Sequence, residues 1–305
     1  MNKVLLRWIL PTAAVLILGP LAAIPVATLR GTDGSPDTTL LVSASPVMGV
    51  ISLLIVAVVA GAGAAITESL LNLGLESLQP DDAFRARRAA AGTARTFAGL
   101  VVAWAAMRTG ASWNIFMVHG GSVVTPLVIE GVLVAIAGAG LLVVLATFDG
   151  TRDATALRED FTAAVSGKNA LVGLVVGIVA GGVGAFLVAV EGGRGQCMMA
   201  GALGSVLAAV GVQLAESDLS PERARLRASI AVLVLMVLSP ASLLFFPGAG
   251  HIADAARTGS LVGPGLVQPL DWLVGVFLGV PTGMAWVGSV AEKAHHQHTA
   301  KTVKP

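Results

Sequence analysis

An ionisable or amide side chain inside an apolar run is costly in lipid, and usually binds, carries or pairs charge. Four residues meet that description: Glu130, Arg108, Glu68 and Gln213. A carboxylate so placed can take up a cation or a proton. An arginine can hold an anion or neutralise the carboxylate. Read together, the four form a candidate substrate or ion site, with Glu130 and Arg108 as its central members. If apolar runs end near Asn114 and begin near Ser122, Arg108 lies six residues deep and Glu130 eight. At 1.5 Å per residue these depths are roughly 9 and 12 Å, so the spacing predicts an Arg108–Glu130 ion pair. Glu68 stands close enough to the end of its run to snorkel to water. Asp271, just before Trp272, reads as an interfacial N-cap. Trp8, Trp113 and Trp272 fall where interfacial aromatics belong.

Other chemistries lack their residues. Ser166-Gly167-Lys168-Asn169 has neither the upstream glycine nor the following hydroxyl of a phosphate-binding loop. No cysteine pair or His-x-x-x-His spacing offers a metal site in the apolar runs, and no motif names a cofactor. His295, His296 and His298 read as a solvated tail. The acidic loops at 76–82 and 216–222 face the same side, as an enzyme holding a diphosphate through Mg²⁺ would need. The Asn-Asp-x-x-Asp pattern of such enzymes is absent. No catalytic residue is assigned.

The elements that must position these residues follow from composition. The chain has 305 residues, of which 55% are hydrophobic and only 12% charged, about half the charge of an ordinary soluble domain. Its uncharged runs reach the ~20 residues that cross a bilayer as a helix. The expected fold is all-α, a polytopic membrane bundle of about eight transmembrane helices. The spans are expected near residues 8–29, 47–71, 93–113, 122–148, 169–190, 196–215, 228–246 and 271–290. The first follows Lys3 and Arg7, and with Pro20 and Pro25 it reads as a retained span rather than a cleaved leader. The stretch 76–95 reads as a charged loop. Residues 149–168 carry Ala154, Leu157, Phe161 and Val165 at helical spacing, which predicts a short amphipathic helix on the membrane surface.

Charge sets the orientation. With the N-terminus inside, the inside segments hold fifteen of the nineteen Lys and Arg, and each outside loop holds one: Arg30, Arg108, Arg194 or Arg257. Lys and Arg are retained on the cytoplasmic side. Both termini are therefore expected in the cytoplasm, with the protein in a cell membrane of bacterial inner-membrane type.

Leu78-x-Pro80-Asp81-x-Ala83 is answered by Leu219-x-Pro221-Glu222-x-Ala224, an offset of 141. Val124-x-Pro126-Leu127 is answered by Val267-x-Pro269-Leu270 at an offset of 143. The pattern suggests two parallel four-helix repeats, residues 1–150 and 151–290, followed by a polar cytoplasmic tail at 291–305. Gly173, Gly177 and Gly181 form a stripe on one helix face, and Gly204 belongs to a second; such stripes let backbones approach closely. Prolines 11, 20, 240 and 281 mark places where helix carbonyls lose their donors.

Three functions fit these features. A carrier or permease for a small solute or ion would bind it between the two halves. A non-catalytic scaffold or complex subunit would dock a partner protein, or a second copy, through the glycine faces. An intramembrane lipid-modifying enzyme is the third. The lipid bilayer is an expected partner in each, and nucleic acid in none. The orientation is open to test with Cys197 changed to serine and a cysteine placed at Ser220. An impermeant thiol reagent is expected to label position 220 only in permeabilised cells, and labelling in intact cells would overturn the orientation. Cys197 itself, at the outer end of span six, is expected to react unless packing hides it.

Overall fold

A computed structural model describes residues 3–73, 75, 79–148, 154–216, 219–245, 249–261 and 263–289. The tail with its three histidines and Leu78 of the first repeated motif lie outside the described residues. The protein is 85% helical, with no strand among the described residues. Eight helical segments are long and apolar enough to span a membrane. They are Leu5–Ala27, Pro46–Asn72, Pro80–Ala106, Ser112–Thr147, Lys168–Val188, Arg194–Ala215, Pro221–Phe245 and Pro269–Ser289, here spans one to eight. It is a multi-pass integral membrane protein. Because the spans alternate in direction, one end of the bundle collects the chain's first residues and the end of span eight. We call it the terminal end, and the opposite one the distal end.

Span eight is the centre. It packs against spans three, four, six and seven, and 67% of it is buried, against 28% for spans one and five at the periphery. Trp272 is fully buried there, its indole Nε1 donating to Ser239 Oγ at 2.8 Å. It is therefore a core residue, not the interfacial aromatic expected from its place near a span boundary. Trp8, in contrast, is exposed.

From Pro80 onward the charged stretch before residue 95 is helix, not loop. Span three begins at Pro80, with Pro at its first turn and Asp81 and Asp82 beside it. Proline fits the first helical position, and acidic groups there favour the helix dipole. Alanine and arginine then carry the helix on, since both are good helix formers. Pro221 starts span seven in the same way, with Glu222 in its first turn. Charge marks the membrane limit rather than the helix limit, and the two differ by about four turns in span three.

The prolines act where the missing donor predicts. Pro20 and Pro281 cannot bond to the carbonyls of Leu16 and Phe277 four residues earlier. Each of those carbonyls lies at the middle of a π-helical segment, Ala14–Leu18 and Gly275–Gly279. Widening the turn is one way a helix accommodates a lost i to i−4 bond.

The glycine stripe is used within the chain. Gly173, Gly177 and Gly181 are buried. A Cβ on Gly177 would meet Val212 and Ala231, and one on Gly181 would meet Leu235 and the Gly204 carbonyl. Spans six and seven occupy this face, so it offers no docking surface for a partner.

Ala154–Val165 forms the expected short helix, packed against spans five and seven. Its C-terminal end is held by buried Arg227, which donates to the carbonyls of Ala163 and Ala164 at 3.1 and 3.0 Å and pairs with Glu216. Val165, expected on the apolar face, is exposed. At the distal end, Ala249–Thr258 is a helix in a stretch read as loop, and it packs on Ser112–His119.

Candidate functional site

Glu130 follows the first turns of the helix Val124–Phe148 and is buried. The loop between spans one and two reaches down to it, with Thr38, Thr39, Leu40, Val42 and Ser43 all buried. Thr39 Oγ1 donates to Glu130 Oε2 at 2.6 Å, and the amide of Leu41 donates to the same oxygen at 2.9 Å. Loops buried at this depth need partners for their backbone groups, and the carboxylate supplies one. Gly49 permits the approach, because a Cβ there would collide with the Leu40 carbonyl.

The second half of the chain contributes the opposing charge. Span six begins at Arg194, whose side chain turns inward to pair with fully buried Asp271 at the start of span eight. Asp271 is not an N-cap facing water. Gln268 is the N-cap, and Asp271 closes a capping box three residues on, Oδ2 accepting from the Gln268 amide at 3.0 Å. The Gln268 side chain reaches across to the first half. Its Nε2 donates to the Gly110 carbonyl at 2.7 Å and to Ser112 Oγ at 3.0 Å, while Thr109 Oγ1 donates to its Oε1 at 2.7 Å. A Cβ at Gly201 would stand 2.5 Å from the Asp271 carbonyl oxygen, so glycine lets spans six and eight close on this seam. Cys197 is completely buried beside Arg194 and Ser112. Packing hides it from the thiol reagent.

The seam joins residues from both sides of position 150, with Glu130 and Arg194 close enough to interact electrostatically. It also leaves valences open. Among the described residues, Glu130 Oε1 and Arg194 Nε and Nη1 are buried without a hydrogen-bond partner.

The expected Arg108–Glu130 pair does not form. Span three ends at Ala106, so Arg108 lies in the turn beyond it and is exposed, its guanidinium 5.8 Å from the centroid of Trp104. The depth estimate had the helix continuing to Asn114, whereas Ser112–His119 belongs to span four. Glu68 is 1% exposed, so it does not snorkel to water. Glu68 and Gln213 both lie near the terminal end, four and two residues from the ends of their helices. Of the four sequence candidates, only Glu130 belongs to the distal seam. Arg194 and Gln268 are absent from the sequence candidates and Asp271 reads there only as a cap, because each sits at a helix start, where sequence alone does not tell a buried end from a wet one. The weak signal was that each lies within a few residues of a span. Among the described residues no group of three His, Cys, Asp or Glu side chains gathers as metal ligands would.

No protein-family model matches the chain, and no curated protein or solved structure matches it.

Breaking one side of a buried ion pair costs about 3–5 kcal/mol, because the other charge is left unpaired. Arg194→Met is expected to lower thermal stability in detergent, and adding Asp271→Asn to recover part of the loss. The coupling should be about 1–3 kcal/mol. Arg108→Gln and Glu130→Gln should simply add. Additivity in the first pair, or coupling in the second, would contradict the geometry.

Proposed function

We propose that the protein is a carrier for a small inorganic cation, bound between residues 1–150 and residues 151–290 at the distal seam. The observation that carries this reading is the open valence on Glu130 Oε1, buried without a hydrogen-bond partner. Buried polar atoms without partners are uncommon, and those that occur call for a specific explanation, such as a bound ion or water. With Glu130 ionised, two carboxylates, Glu130 and Asp271, stand against one guanidinium, and the cluster carries a net charge of −1. A charge buried in a bilayer is costly unless compensated, and a cation bound at Glu130 Oε1 would compensate it. Glu130 would be the binding carboxylate. Asp271 would hold Arg194, and Gln268 would hold the loop before span four.

Membrane placement belongs to the same proposal. The excess of Lys and Arg at the terminal end supports a cytoplasmic position for that end, with the protein in a bacterial inner membrane. The two halves need not be true repeats for the site to work, since both contribute residues to it.

The test is flux in proteoliposomes, using sodium, rubidium as a stand-in for potassium, and protons read by a trapped pH dye. At least one of these cations is expected to cross faster than in protein-free vesicles. Glu130→Gln keeps acceptors for Thr39 and Leu41, so it should fold while losing the flux by tenfold or more. Absence of flux for all three cations, or an unchanged rate in the variant, would remove this reading.

A further inference from the structure

A second cavity lies between spans one, three and six, beside the seam and lined by none of its charged residues. Leu100, Ala103, Trp104 and Met107 recur at i, i+3, i+4 and i+7 on one face of span three, and Arg108 follows. With Val15 of span one and Met198 of span six they line a cavity of about 430 Å³. The volume falls within the range of ligand pockets, and apart from Arg108 every lining side chain is apolar. From Leu100 to Met107 the groove follows span three for roughly 10 Å at the helical rise, from inside the apolar run to its distal limit.

Two features shape it. Val15 lies in the π-helical segment Ala14–Leu18. Gly19, just beyond, lets Trp104 lie against span one, since any Cβ there would collide with the indole. The ring in turn stands 5.8 Å from the Arg108 guanidinium. A guanidinium resting on an aromatic face keeps its edge N–H groups available, and those groups fit a phosphate. Arg108 is exposed and makes no ion pair among the described residues.

We propose that this groove binds one anionic phospholipid from the distal leaflet, with an acyl chain along span three and the phosphate on Arg108. The apolar lining alone would accept any lipid; the arginine at its mouth selects a negatively charged headgroup. Arg108 thus acts as a lipid anchor instead of a member of the Glu130 site. The proposal does not depend on the carrier reading, since it concerns lipid retention and not flux.

The full-length protein in detergent, incubated with phosphatidylglycerol and phosphatidylcholine of identical chains, tests it by native mass spectrometry. One phosphatidylglycerol is expected to be retained over phosphatidylcholine by about tenfold: both offer Arg108 a phosphate, but the choline cation of phosphatidylcholine opposes the guanidinium. Arg108→Gln should reduce that preference to near unity. Ala103→Phe should lower retention of both lipids by filling the groove, and soluble glycerol phosphate should displace neither. Arg108→Gln alters only an exposed side chain, so it decides the matter even if the groove-filling variant misfolds. An unchanged preference in Arg108→Gln would overturn the proposal, as would displacement of the lipid by glycerol phosphate.

Discussion

A buried charge in a bundle surrounded by lipid must find its partner inside the protein. That constraint organises the distal half of this molecule. Glu130 draws the loop between spans one and two down to it, through Thr39 and the Leu41 amide. Asp271 draws in Arg194, and Gln268 ties the start of span eight to the end of span three through Gly110 and Thr109. Few of these bonds are within one helix. They join separate spans, so losing one would loosen contacts between helices as well as a single side chain.

The two ends of the bundle use this constraint differently. At the terminal end, buried Arg227 meets Glu216 and two backbone carbonyls of the Ala154–Val165 helix. The distal cluster has fewer partners than polar atoms. Its incompleteness, together with its place where the two parts of the chain meet, is what makes it the candidate site.

The spans were legible because uncharged runs of bilayer length leave few alternatives to a helix. Their limits were less so. Hydropathy reports where the membrane stops, while Pro80, Asp81 and Asp82 decide where the helix starts. Glu130 was legible as a lone carboxylate among apolar residues. Arg108 was assigned to it because spacing gives depth only if the helix ends where hydropathy changes, and span three ends before that, at Ala106. Arg194 and Asp271 were not legible as a pair. They are 77 positions apart, each beside a helix start, and only the packing of spans six and eight shows that both point inward. The glycine stripe was legible as a packing surface, but not in which partner it meets; spans six and seven take that place.

The central claim is that Arg194 and Asp271 form a buried contact between spans six and eight in a bilayer. Solid-state NMR on protein reconstituted in lipid, with ¹⁵N in the arginine guanidinium groups and ¹³C in the aspartate carboxyls, measures it directly. Arg223 and Arg257 should first be replaced by lysine, which removes the guanidiniums that pair with Asp160 and Asp254. The account predicts a strong nitrogen–carbon dipolar coupling that is lost in Arg194→Lys. A spectrum of strong couplings left unchanged by Arg194→Lys, or no strong coupling in the starting protein, would contradict it.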